Sequence, residues 1–298
     1  MDLFVLESKL YTDYSPATHL PSGKAWYVKQ QTANRTGNSW SSARNSVQSA
    51  VNVASAGDTI FVAPGTYDET VTVPYAKAGM TFIGVGPRAS ASIAPSTAHA
   101  GAMIIHASNV IVMNLDFASP DTTSSVALTV TGNGFRAVGC KFEGAAKQVV
   151  FGPGTDAQAT AHTAGHGGDA QFFDCEFAWG TSGLILQGTD YGAATQVVVE
   201  DCLFHNLTAS SIGEVVGSGG SASLTFRNLL VKNCLFEPAE DGTEPTAYVL
   251  LNGSNSNTGL ITGCKFTVAS NSGKNLVSTA AKWVQNFYPA GPSTGQPS

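Results

Sequence analysis

The tripeptide Cys-x-Phe occurs five times, at Cys140, Cys175, Cys202, Cys234 and Cys264, and takes in every cysteine of the chain. A motif that returns at a near-constant interval confines a chain to a stack of similar units. Leu115-Asp116-Phe117 continues the series upstream, and Val85 precedes it. With these seven residues as anchors, the gaps are 30, 25, 35, 27, 32 and 30 residues. Three residues before the anchors stand Phe82, Val112, Ala137, Phe172, Val199, Val231 and Ile261, all apolar. One residue before them stand Gly84, Asn114, Gly139, Asp174, Asp201, Asn233 and Gly263. These are the residue types that enter the left-handed αL region most readily. Inward positions alternate with period two on either side of this residue, but the phase slips across it. Val197 and Val199 point in, and so do Cys202 and Phe204. A strand does that only by bending at the residue between, here Asp201. Each repeat is therefore a coil of short strands with a sharp corner. Coils stacked at about 4.8 Å satisfy one another's backbone groups, with Cys over Cys and Phe over Phe.

This pattern resembles the right-handed parallel β-helix of the pectin-lyase-like superfamily. "GDTIFVAPGTYDETVTV", residues 57 to 73, is similar to the first coil of such proteins. It follows a segment in which Ala43, Val47, Ala50, Val51 and Ala54 make one helical face. The resemblance implies a helix capping the open end of the solenoid. The expected fold is all-β: a parallel β-helix of seven to eight coils with an N-terminal capping helix. Its expected parts are an arm over 1–25, an entry strand and capping helix over 26–56, the solenoid over 57–270 and a C-terminal segment over 271–298. In such a solenoid the cysteines are small core residues in a ladder. Disulfides between adjacent coils and a thiolate metal site are the lesser readings. An odd number of cysteines and one cysteine per coil count against them.

Charged residues are only 12% of the chain, the net charge is -6, and no two basic residues are adjacent. Nucleic acid is not an expected partner. The N-terminus carries Asp2 and Glu7 and no basic stretch before its short apolar run, so no signal peptide is expected. No stretch is long and apolar enough for membrane insertion.

Acid–base chemistry on a polysaccharide needs clustered carboxylates or bases. The strands opposite the anchors, such as "AMIIHA" and "SIGEVV", together supply one carboxylate, Glu214, and one histidine, His106. "GTYDE", residues 65 to 69, resembles a stretch of pectin methylesterases, but that family's downstream motifs are missing. Tyr67 and Glu69 are thus expected to close the first coil. His162, His166 and Asp169 have a metal-like spacing in a Gly-rich insertion and are read as a surface loop. Asp174 is read as a corner residue beside Glu176. No catalytic residue, metal or cofactor is expected.

The outward positions before the corner are unusually apolar: Ile83, Ile111, Met113, Val138, Phe173, Val198, Leu230 and Leu260. At about 60–70 Å² each they would expose on the order of 500 Å², a patch that calls for a cover. The expected cover is a second subunit, with the chain's own ends or a glycan as alternatives. A poorly charged β-helix with such a flank resembles bacteriophage virion proteins. That resemblance implies a non-catalytic capsid decoration protein on the virion surface, assembled as a homotrimer against other virion proteins. The alternative is a tailspike or another β-helix protein that binds a host-surface glycan or degrades it as a lyase or hydrolase.

Overall fold

The computed structural model describes residues 23–31, 33–96, 101–119, 126–144, 147–151, 169–188, 196–216, 228–240, 242, 245, 247–250, 259–267, 276–277, 281–288 and 291–293. Residues 1–22 of the expected arm, the histidines His162 and His166, and the end of the tail lie outside them.

Two long sheets wind around one core. The first has ten strands, running from Ala25–Val28 through Thr59–Val62 and Thr81–Gly84 to Ala281–Val284. Its ten rungs exceed the seven to eight coils expected, because two strands, Ala25–Val28 and Thr59–Val62, precede the seven anchored repeats and one, Ala281–Val284, follows them. The second sheet collects the strands after each corner and those on the opposite side of the coil. They merge in the two long strands Glu176–Gly188 and Leu203–Val216. Among the described strands the pairing is parallel except for the last pair, Asn286–Tyr288 with Gly291–Ser293.

The corners behave as the residue types dictate. Asn114, Gly139, Asp174, Asp201, Asn233 and Gly263 have φ between 51° and 66°. Their amides pair from coil to coil, as in Gly139 N–H to Phe173 O at 3.0 Å and Asn233 N–H to Thr262 O at 3.0 Å. Gly84 differs: its φ is not positive, and a Cβ there would lie 2.0 Å from the Asn114 carbonyl oxygen. That glycine permits a close approach of two backbones rather than a left-handed turn.

Inside the corner the side chains stack. The ring centroids from Phe117 through Phe142, Phe177, Phe204 and Phe236 to Phe266 are 5.4, 5.1, 4.5, 5.0 and 4.7 Å apart. All six are fully buried, so each contributes its large apolar area to one continuous core. The five cysteines are buried free thiols in a ladder. Each Sγ–H points at the carbonyl two residues back across the corner, for example Cys202 to Glu200 at 3.3 Å and Cys234 to Lys232 at 3.3 Å. A small apolar group with a weak donor fits that place. Burial pushes the thiols of Cys140 and Cys202 well up, which keeps them protonated and inert. Asn286 ends the ladder. It is fully buried, accepts from Cys264 N–H at 2.9 Å and donates to Ile261 O at 3.0 Å.

The open end is closed by the helix Val47–Val53, which buries Val47, Ala50 and Val51. Ala43, expected on this helix, is buried in the link before it. The Ser46 side chain caps the helix by accepting from Ser49 N–H. Glu69 of the first coil accepts from Val47 N–H at 2.6 Å and Gln48 N–H at 2.9 Å. Its carboxylate thus satisfies two unpaired donors and faces the positive end of the helix. Tyr67 donates to Ala63 O at 2.8 Å. Both residues of "GTYDE" therefore serve the fold, as expected. Asp58 ties the entry strand on by accepting from Lys24 N–H, Trp26 Nε1–H and Ser55 N–H, each at 2.7 Å.

Candidate functional site

The central residue of each Cys-x-Phe unit points away from the core, because its neighbours point in. Parallel register turns these residues into a column on the second sheet. Ser92 pairs with Asp116, Asp116 with Lys141, Lys141 with Glu176, and Glu176 with Leu203. Two residues further along, a second column holds Ala118, Glu143, Ala178 and His205. Five titratable side chains thus share one face over four adjacent coils.

Their contacts form a connected set. The Lys141 ammonium lies 2.5 Å from Glu143 Oε2 and 3.8 Å from Glu176 Oε1. His205 Nε2 lies 3.2 Å from the same Glu176 oxygen. The tautomer of His205 follows from its other neighbour. Glu240 N–H donates to Asn206 Oδ1 at 2.8 Å, which fixes the amide and turns Asn206 Nδ2 to His205 Nδ1 at 2.9 Å. Nδ1 therefore accepts, and Nε2–H donates to Glu176. Arg88 adds a cation from the loop after the strand Thr81–Gly84. It reaches over the corner ladder to Asp174 at 3.7 Å and to Cys140 O at 3.3 Å.

Two carboxyl groups of this set are driven in opposite directions. Burial pushes Asp116 up to about 6, against the hydrogen bond from Ser92 and with the repulsion of Glu143. Asp116 is 5% exposed, and its Oδ1 has no hydrogen-bond partner. A buried acceptor without a partner is costly unless it is protonated or meets a ligand. Glu176 is held low, first by the His205 hydrogen bond, against burial, and then by the charges of Lys141 and Arg88. One face thus offers a carboxylic acid and a carboxylate two strands apart, about 9–10 Å at the usual strand spacing.

A shallow cleft of about 360 Å³ adjoins the set. Ala94, Pro95 and Ala118 line its apolar part, Ser119 and Glu143 its polar part, and Trp179 one side. Trp179 occupies a second αL column, four residues after the anchors, between Gly144 at φ 76° and Asn206 at φ 53°. Its own φ is 57°, a conformation that costs a bulky residue about 1–2 kcal/mol. It nevertheless stays 45% exposed, and its ring pairs edge-to-face with that of His205, centroids 6.4 Å apart.

The strands opposite the anchors, where no catalytic residue is expected, offer less. His106 bonds Thr131 at 2.9 Å and stacks on Tyr75. The Glu214 side chain lies outside the described residues. Asp174 is a corner residue, as expected. Among the described residues no group of three metal-binding side chains forms, and no helix is long and apolar enough to cross a membrane.

The eight apolar residues do line the outward face of the first sheet, in two columns. Ile83, Met113, Val138 and Phe173 follow one another in register, and Glu200 continues their column. Val198, Leu230 and Leu260 occupy the other column further along, where Ile111 is separated from them by Arg136 and Gln171. Leu260 is 37% exposed and Val198 only 9%; the other six are half-buried. Neighbours at strand spacing shade one another, so the patch is smaller than the roughly 500 Å² a residue count implies.

No family model and no curated protein sequence matches the chain. Solved structures do. Over 90% of this chain and 84% of the other, it is similar to a pectin methylesterase from carrot, at 14% identity and a TM-score of 0.59. The rice weevil pectin methylesterase aligns over 98% of this chain and 90% of its own, at 14% identity and a TM-score of 0.53. The pectin methylesterase of Erwinia chrysanthemi aligns over 91% of both chains, at 11% identity and 0.51. All three are enzymes, and this overturns the expectation of a protein without catalysis. That expectation rested on the strands opposite the anchors, whereas the charged columns lie on the strands just after them. At such identities the likeness carries the architecture, and the chain is a parallel β-helix of the pectin-lyase-like fold.

Proposed function

We propose that the protein is a polysaccharide-processing enzyme that uses carboxyl acid–base hydrolysis on the outward face of the second sheet. The observation that carries this reading is the divergence of Asp116 and Glu176. Acid and base roles separate when environments push two titratable groups apart. Asp116 holds its proton up to about pH 6 and delivers it to the leaving oxygen as the carbon–oxygen bond breaks. Glu176 takes a proton from the water that attacks the carbon. A spacing of about 9–10 Å between their strands leaves room for that water. Lys141 and His205 hold Glu176 ionised. Asn206 and Glu240 position His205.

The fold shared with carbohydrate esterases supports a polysaccharide as substrate, and the exposed aromatic beside the cleft supports it independently. Capsid decoration has no such support from the fold or the comparisons. A tailspike-like place on a virus particle is compatible with this chemistry and rests on the family resemblance alone. Association of copies through the apolar columns of the first sheet belongs to the same proposal.

The test is a panel of polysaccharides that includes methyl-esterified polygalacturonate, followed by methanol release and by new reducing ends. Turnover of at least one substrate is expected, with Asp116→Asn and Glu176→Gln each slower by about 100-fold or more. Silence across the panel, or undiminished turnover by both variants, contradicts the reading.

A further inference from the structure

Trp179 occupies a position that the coil geometry reserves for other residues. Its column takes Gly144 one coil before and Asn206 one coil after, both with positive φ. The Gly144 N–H donates to the Trp179 carbonyl at 3.0 Å, so the backbone there is an ordinary corner of the ladder. Glycine or asparagine would make that corner without strain. The tryptophan side chain does not repay its strained backbone by burial, since it is 45% exposed. Its indole instead borders the cleft beside Glu143, whose strand neighbours are Ala118 and Ala178. Those alanines keep the surface low next to a standing aromatic ring.

We propose that Trp179 is a stacking platform for an uncharged pyranose ring. The apolar C–H face of a sugar lies on the indole, with its hydroxyls toward Glu143 and Ser119. An apolar floor with a few polar groups at the rim suits such a ligand. Charge selects against an ionised uronate. The lining contains Glu143 and no cation, and the Lys141 ammonium is already paired with that carboxylate. Asp68 adds a second anion next to the cleft, accepting from Ser96 N–H at 2.6 Å and from Ser96 Oγ–H at 2.7 Å. This assignment names the sugar class for the hydrolytic site proposed above and rests on that reading for its place beside the acid–base set.

The experiment is titration of the full chain with cellohexaose, mannohexaose and maltohexaose, and with hexagalacturonate as the charged counterpart, by calorimetry. At least one neutral hexaose is expected to bind, and hexagalacturonate to bind at least about tenfold more weakly. Trp179→Asn should reduce neutral-sugar binding at least about tenfold. The same variant should melt at the same temperature as the parent or higher, a change that a merely structural tryptophan would not give. No binding by any neutral hexaose, tighter binding of hexagalacturonate, or undiminished binding by the variant overturns the proposal. Turnover that depends on Asp116 but not on Trp179 would overturn the platform alone. Trp179-dependent binding without turnover would instead overturn the hydrolytic reading.

Discussion

On the first sheet, the column through Ile83, Met113, Val138 and Phe173 carries no charge until Glu200. On the second, three successive strands carry Asp116, Lys141 and Glu176. Both columns sit on the same coils, one just before the corner and one just after it. The corner and the interior fix what stands between them: an αL residue, a cysteine and a phenylalanine. Outward positions bear no such requirement, and the two faces have taken opposite chemistry. A solenoid thus separates the residues that hold it up from those free to act, and single substitutions should divide along the same line.

The interior should respond most. Phe177→Ala removes one of the two central rings of the stack of six and should cost about 3–5 kcal/mol in chemical denaturation. A loss below about 1 kcal/mol would mean that the stack does not hold the coils together.

Asp116 should respond next, and with the opposite sign. Its folded carboxyl keeps the proton up to about pH 6, whereas an unfolded one releases it near 4. The fold is therefore penalised as pH rises from about 4 to about 6, by about 3 kcal/mol once both states are ionised. Asp116→Asn removes that penalty. It should stabilise the protein at about pH 8 and change little below about pH 4. Denaturation of parent and variant at both pH values checks this, and an unchanged difference would contradict the buried, unpaired carboxyl.

Glu69→Gln should cost about 1 kcal/mol, since the amide keeps one acceptor for the helix amides and loses the charge facing them. The smallest change in stability belongs to the apolar face. Met113→Glu together with Phe173→Glu should move the denaturation midpoint by less than the interior change does. It should lower the mass seen by light scattering if that face joins copies of the chain. An unchanged mass would remove the proposed association.

Much of this was legible in the sequence because one spacing carries it. The anchors, the corner residues and the phenylalanine ladder occupy fixed offsets, and the core can accept few residue types at each. The charged face is written in the same alignment, in a column that the core does not constrain. Asp116, Lys141 and Glu176 are the middle residues of Leu-Asp-Phe, Cys-Lys-Phe and Cys-Glu-Phe, and position alone turns them outward. Their adjacency depends on register between residues 25 and 35 apart, which becomes visible only when the middle column is read vertically. Trp179 stands four residues after Cys175, in a column that holds Ser119 and Gly144 on the preceding coils and Asn206 on the next. The shift of Asp116 was not legible, since it depends on how deeply neighbouring coils bury that carboxyl. Nor was the role of Gly84, which shares a column with left-handed corners and serves a close backbone approach instead.

The claim beneath the functional reading is that one outward carboxyl on the second sheet holds its proton up to about pH 6, well above the ordinary carboxylate range. Following the carboxyl carbon of Asp116 by NMR through a pH titration of the full chain measures this without any substrate. The expected midpoint is about 6. A midpoint at the ordinary value near 4 would leave Asp116 ionised beside Glu143 and Glu176, and the face without its proton donor.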